Sequence, residues 1–253
     1  SKSIGLDFCS TPYSYKEVDF LVSEQSVPYI KVASMDLNNY RFLSYIASTG
    51  MPIVLSTGMS DIHEIKKAVK TIEAEGNQNI CILHCVSIYP PELSTINLKN
   101  IIGLRKTFPN YPIGYSDHSE GTEIASASVA FGACMIEKHF TLDKSKIGMD
   151  NQMALEPDEM KQLVDNCHNV QISIGDNNRK VLPAELKQRG RMRRSIVSKK
   201  DLKAGNKLSL DDLDTKRPGT GFPPEMIDEL VGKTLANDVK CDMLLNENDI
   251  LNK

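Results

Sequence analysis

The feature that most constrains this chain is a repeat. Short, nearly continuous apolar runs return about every 20 to 33 residues, and an amphipathic stretch separates each from the next. The runs are Gly5–Cys9, Tyr29–Ala33, Ile53–Ser56, Ile80–Val86, Pro112–Tyr115 and Cys134–Phe140. Strands without in–out alternation are covered on both faces, which helices joining parallel strands achieve. The segment Asp61–Glu75 carries the helical period, with Ile62, Ile65, Ala68, Val69 and Ile72 on one stripe. Asp61 is placed to cap that helix and Gly76 to end it.

A doubly wound sheet and a (β/α)8 barrel both have this cadence. The polar residues separate them. Nearly every run ends in chemically capable groups: Ser10-Thr11, Lys31 to Ser34, Ser56-Thr57-Gly58, His84 to Ser87, Ser116-Asp117-His118 and Glu137-Lys138-His139. A barrel gathers the ends of many successive strands at one mouth, whereas a doubly wound sheet concentrates its site at one switch point. No G-x-G-x-x-G follows the first run. The expectation is an α/β (β/α)8 TIM barrel of which six strands are present, the first two βα units lying upstream of a start that lacks Met.

The cadence stops after a helical stretch at Pro157–Ile174. Residues 1–175 are expected to form the barrel part and 176–193 a polar linker with a helix near Pro183–Gln188. Residues 194–253 then form a small loop-rich domain, with strand signals at Ser195–Ser198, Leu208–Leu210 and Thr215–Gly219. The basic run Arg189–Arg194 reads as a solvated linker face before a phosphate clamp. A net charge of −3 gives no basic groove for nucleic acid or for an anionic membrane surface, and no apolar stretch approaches a bilayer span. The six cysteines form no C-x-x-C and lie mostly in apolar runs, so the expectation is reduced, buried thiols in a cytoplasmic protein.

Two constellations carry chemistry. On a strand, residues i and i+2 share a face, so Glu137 points with His139, and Ser116 with His118. Two imidazoles at neighbouring strand ends can share a metal, Glu137 can orient a ligand or hold a water, and Asp150 can reach the same mouth. The competing reading is two histidines satisfied under loops. The second constellation is Thr11, Lys31, Ser34 and Ser56-Thr57-Gly58, hydroxyls and a lysine on adjacent loops that suit a phosphate or carboxylate. Each of these is also an ordinary turn residue. His63 and His168 lie on helices and read as surface residues; there is no G-x-S-x-G and no P-loop.

Taken in order, these segments resemble the N-acetylneuraminate (sialic acid) synthase family, including the legionaminic and pseudaminic acid synthases. The likeness rests on Phe8–Ser14, Tyr29–Ser34 with Asn38-Asn39-Tyr40, Ile53–Met59, His84–Pro90, Gly114–His118 and Ile136–Thr141. Lys216–Gly221 and Gly232-Lys233 are similar to the C-terminal antifreeze-like (SAF) domain of these enzymes. The resemblance implies a phosphoenolpyruvate-dependent, C–C bond-forming transferase. It would condense phosphoenolpyruvate with an N-acetylated amino sugar, N-acetylmannosamine or a related diacylamino hexose, to a nine-carbon α-keto acid and phosphate. It also implies a divalent metal, Mn²⁺ before Mg²⁺ or Co²⁺, held by His118 and His139, with Glu137 at the reacting centre. Thr11, Lys31, Ser34, Ser56, Ser87 and Ser116 match phosphoenolpyruvate-binding positions, and Tyr89 and Asp150 match sugar-contacting ones. Arg217 matches a residue that reaches from one subunit's small domain to its partner's barrel mouth, which implies a domain-swapped homodimer.

Four positions depart from the family pattern. Asp36 stands for a usual Glu, Ser87 for a common Asn, Met149 for a usual Pro and Asp242 for a turn Gly. The other function class is a catalytically incomplete carbohydrate-binding or assembly protein derived from such a synthase.

Overall fold

A computed structural model describes residues 2–25, 27–148 and 150–251. The chain divides into two compact units, Ser1–Gly175 and Asp176–Lys253.

The first unit is built on a parallel five-stranded sheet: β1 (Ile30–Val32), β2 (Ile53–Ser56), β3 (Ile80–Cys85), β4 (Ile113–Asp117) and β5 (Ile136–Lys138). Spatial order follows chain order without a reversal, the sequence of strands along an arc of a barrel. Between them run α2 (Tyr40–Ser48), α3 (Ile62–Ala74), α4 (Lys99–Thr107) and α5 (Glu123–Ala130), preceded by α1 (Tyr15–Phe20) and followed by α6 (Pro157–Ile174). Alternate strand residues feed one core. Ile30, Val32, Ile53, Leu55, Ile80, Ile82, Ile113 and Tyr115 pack against Leu43 and Ile46 of α2, Ile65, Val69 and Ile72 of α3, and Ile101 and Leu104 of α4.

Local sequence sets the helix ends. Asp61 accepts from the N–H groups of His63 and Glu64 while Glu64 returns to the Asp61 N–H, a closed capping box. Gly76 takes the left-handed turn that ends α3, at φ 79°. At Gly114, on the face away from the helices, a Cβ would lie 2.5 Å from Leu83 Cδ2 and 2.6 Å from the Met135 carbonyl. Only glycine lets the Leu83 side chain and the Met135 backbone just before β5 approach β4 this closely.

The expected first strand, Gly5–Cys9, does not form. Its backbone pairs with no strand among the described residues, and Leu6 and Phe8 are exposed, because apolar side chains alone do not make a strand without a neighbouring ladder. The expectation of buried thiols holds only for Cys85. Cys81 and Cys167 are half-buried and Cys9, Cys134 and Cys241 exposed, because apolar sequence context does not fix which side of an element faces the core.

The second unit carries α7 (Pro183–Met192), then β6 (Ser195–Ser198) paired antiparallel with β7 (Leu213–Lys216). Its own core holds Ile196, Leu202, Leu208, Leu213, Leu230, Leu235, Val239 and Leu245. The expected strand Leu208–Leu210 instead runs into a 3₁₀ turn at Leu210–Asp212, closed by Ser209 and Asp212. Asp242 sits at φ 66°, the backbone region that favours glycine, and its carboxylate pairs with Lys216. No helix among the described residues is long and apolar enough to cross a membrane.

Candidate active site

The strand residues that turn away from the core line an open cleft of roughly 470 Å³ at the C-terminal ends of β1 to β5. It gathers Thr11, Lys31, Ser34, Ser56, Ser87, Tyr89, Ser116, His118, Glu137 and His139, residues drawn from every strand end. Asp150 stands beside it, its carboxylate 4.0 Å from His139 Nδ1. Arg217 lies in the second unit, where its guanidinium contacts Met192 Sδ at 3.6 Å. Asp36 is not among the lining residues; it accepts from the Asn39 side chain in a surface turn. Met149 lies outside the described residues.

Strand register explains the first cluster. Ser116 and Glu137 are direct partners across β4 and β5, and the Ser116 hydroxyl donates to Glu137 Oε1 at 2.6 Å. The other carboxylate oxygen faces Lys31 Nζ at 3.5 Å, and that ammonium also donates to the Val32 carbonyl at 3.0 Å. An ammonium has three donors, so one of Lys31 remains for a ligand. Ser56 Oγ is buried and has no hydrogen-bond partner, alone among the buried side-chain polar atoms described. An unpaired buried hydroxyl costs free energy until something bonds to it. It faces the same space as Lys31, as an anion cradle would require.

The second cluster is aromatic and basic. The rings of His118 and His139 lie 5.2 Å apart, with Tyr89 4.2 Å from His118 and 6.0 Å from His139. His118 Nδ1 is 2.9 Å from the Val86 carbonyl, which can only accept, so Nδ1 carries the proton and Nε2 is left free. Burial and the neighbouring His118 push the His139 imidazole below its ordinary pKa, favouring the neutral ring that binds metals. Burial acts to lower His118 too, but Cys85, the Val86 carbonyl and Glu137 outweigh it and leave it raised. Among the described residues no group of three His, Cys, Asp or Glu is disposed around one point. Two imidazoles, one with its tautomer fixed and the other beside a carboxylate, fit an open centre completed by substrate and water oxygens.

On the opposite side of the sheet, Lys138 pairs with Asp117 at 2.8 Å, and both side chains are almost fully buried. Asp117 also accepts from the Tyr115 hydroxyl and from the N–H and hydroxyl of Ser119. Lys138 thus points away from Glu137 and His139, as alternation requires.

From the sequence, Cys85 is only a thiol adjacent to His84 and facing the opposite side of the strand, with no role of its own. Cys85 Sγ lies in the cleft wall, 4.0 Å from His118 Nδ1, while His84 turns to the other face and bonds the Ile96 carbonyl. The signal available was parity: Cys85 and Ser87 alternate with His84 and Val86. Burial raises the Cys85 thiol, but His118 and the Ser34 hydroxyl bring it below its ordinary pKa.

Comparison with known proteins agrees with this architecture. Residues 1–179 match the NeuB family and residues 193–251 the SAF domain. The chain is 39% identical over 249 residues to an N,N'-diacetyllegionaminic acid synthase of Campylobacter jejuni, covering 98% of this chain and 74% of that protein. It is 36% identical to the human N-acetylneuraminate-9-phosphate synthase, covering 98% and 68%. The crystal structure of a Bacillus subtilis spore coat polysaccharide biosynthesis protein superposes with a TM-score of 0.66 at 33% identity, over all of this chain and 75% of that one. The family match spans the strand ends and helices described above, and the chain therefore belongs to the NeuB family as a synthase-like enzyme with a C-terminal SAF domain.

Proposed function

We propose that this chain joins phosphoenolpyruvate to the open-chain aldehyde of an N-acetylated amino sugar, N-acetylmannosamine or a related diacylamino hexose. The observation that carries the reading is the unpaired, buried Ser56 hydroxyl beside the spare donor of Lys31, in a cleft that also holds the His118–His139 pair. The relatives' names support the substrate class: they are N,N'-diacetyllegionaminic acid, pseudaminic acid and N-acetylneuraminate-9-phosphate synthases.

The residues divide the work. Thr11, Lys31, Ser34, Ser56, Ser87 and Ser116 bind the phosphate and carboxylate of phosphoenolpyruvate, replacing water with fixed donors. Tyr89 and Asp150 hold the sugar at the rim, and Arg217 is assigned to the mouth of a partner copy's cleft in a domain-swapped homodimer. The methylene carbon of phosphoenolpyruvate bonds to the aldehyde carbon, whose oxygen takes a proton. Water adds to C2 and gives up one proton to Glu137, the cleft carboxylate held by Ser116 and facing Lys31, which passes it on to the aldehyde oxygen. Cleavage of the bond between C2 and the phosphate-bearing oxygen then releases phosphate, which takes up the remaining proton of the C2 hydroxyl as that hydroxyl becomes the keto group. A divalent cation on His118 and His139, Mn²⁺ or a similar ion, would supply Lewis-acid polarisation of the aldehyde oxygen.

The test is phosphate release from phosphoenolpyruvate across a panel of N-acetylated amino sugars. Release is expected to require both a divalent metal and a particular sugar, and His139→Ala is expected to lower it by more than about 100-fold. Undiminished release from metal-stripped protein would overturn the ligand assignment. No release with any sugar would favour the carbohydrate-binding alternative.

A further inference from the structure

Cys85 is a buried side chain of the cleft wall to which the proposed reaction gives no task. It ends β3, is 7% exposed, and stands between two of the hydroxyls assigned to the anion. The Ser34 hydroxyl donates to Cys85 Sγ at 3.6 Å, and Ser87 Oγ lies 3.7 Å from the same sulfur. Gly58 closes the arrangement from the β2 side. Its N–H donates to Ser34 Oγ at 2.9 Å, and a Cβ built on it would fall 2.1 Å from Ser87 Oγ and 2.8 Å from Ser34 Oγ. The two hydroxyls thus occupy space that only a glycine leaves open.

Sulfur is a weak hydrogen-bond acceptor and oxygen a strong one. A hydroxyl resting on sulfur keeps its rotamer through packing, yet gives up little when it turns its proton to a phosphate or carboxylate oxygen. Resting on oxygen, it would surrender a full hydrogen bond first. We propose that Cys85 is a positioning residue that acts through Ser34 and Ser87, holding both hydroxyls in place for an anion while competing with it as little as a polar atom can. The inference rests on the anion reading of the cleft given above.

The experiment compares phosphoenolpyruvate binding by calorimetry in the intact protein and in its Cys85→Ala, Cys85→Ser and Ser56→Ala variants. Steady-state KM and kcat are measured for both substrates alongside. Cys85→Ser, the closest isostere, is expected to be the worse of the two cysteine variants, with affinity reduced about fivefold, the net worth of roughly one hydrogen bond. Its KM for phosphoenolpyruvate should rise while kcat and the sugar KM hold, which a general packing defect would not produce. Cys85→Ser binding as tightly as Cys85→Ala, or more tightly, overturns the proposal. If Cys85→Ser does not fold, Cys85→Ala decides: removing the sulfur that seats both hydroxyls must raise the KM for phosphoenolpyruvate while the sugar KM holds, and an unchanged phosphoenolpyruvate affinity overturns the proposal. Ser56→Ala separates the two levels of the argument. Loss of affinity there, with the wrong order at Cys85, removes only this inference; no loss there removes the anion reading and this inference with it.

Discussion

The two faces of the five-stranded sheet are made from the same short strands and part company at the strands' C-terminal ends. Toward the helices stand Ile30, Val32, Ile53, Leu55, Ile80, Ile82, Ile113 and Tyr115, all essentially buried in one continuous core. On the other face, in the opposite phase of the alternation, stand Lys31, Ser56, Cys85, Ser116 and Glu137. A strand reverses its facing at every residue, so a single chain position decides whether a side chain contributes to stability or to the cleft. The difference teaches that these two properties can be altered almost independently, and three substitutions test how far the separation holds.

The largest effect is expected where the separation breaks. Asp117 and Lys138 are register partners and form a charge pair with almost no solvent contact, on the side opposite Glu137. Lys138→Ala leaves a buried carboxylate with hydroxyl and amide donors but no countercharge. Removing one partner of such a pair costs about 3–5 kcal/mol. Denaturant unfolding measures it, and a loss below about 1 kcal/mol would mean that the three neutral donors suffice. Changing both partners together, Asp117→Asn with Lys138→Met, should recover part of the loss.

A smaller cost is expected at Gly114, which belongs by parity to the cleft face yet serves the fold. An alanine there would meet Leu83 Cδ2 at 2.5 Å and the backbone oxygen of Met135 at 2.6 Å, and a backbone atom cannot rotate aside. Overpacking of this kind costs about 1–3 kcal/mol. Thermal unfolding of Gly114→Ala should register it, and an unchanged midpoint would show that β4 and β5 separate easily.

How much of this was legible in the sequence follows from the same alternation. The helix at Ile62–Ala74 was readable to its caps, because Asp61, Glu64 and Gly76 act through local backbone geometry. The core strands were readable because apolar runs with β-branched residues need no distant partner to be recognised. Glu137 with His139, opposed to Lys138, followed from parity alone. Gly5–Cys9 was misread because pairing is a property of the neighbouring strand, which the segment's own residues do not encode. Cys85 was given no task because two of its contacts, Ser34 and His118, come from other strand ends that only the register brings beside it, although Ser87 shares its face by parity. The charge pair of Asp117 with Lys138 was missed for the same reason. The residues were visible, but the alignment of β4 with β5 was not.

The smallest effect on stability, and the sharpest test of the separation, is expected at Ser56. Its hydroxyl is buried without a partner, so the folded protein gains nothing from it before a ligand arrives. Ser56→Ala removes one oxygen from a site where its hydrogen-bonding capacity is unspent, which avoids the cost of an unsatisfied polar group. Unfolding free energy should therefore stay constant or rise by up to about 1 kcal/mol. On the proposed anion role of Ser56, phosphoenolpyruvate affinity should move the other way, by about fivefold, since one donor would be gone. Opposite signs in the two measurements would mark Ser56 as a residue kept for binding at the expense of the fold. A loss of stability instead would mean that the hydroxyl already bonds within the protein, and that the cleft face does structural duty even at its most polar point.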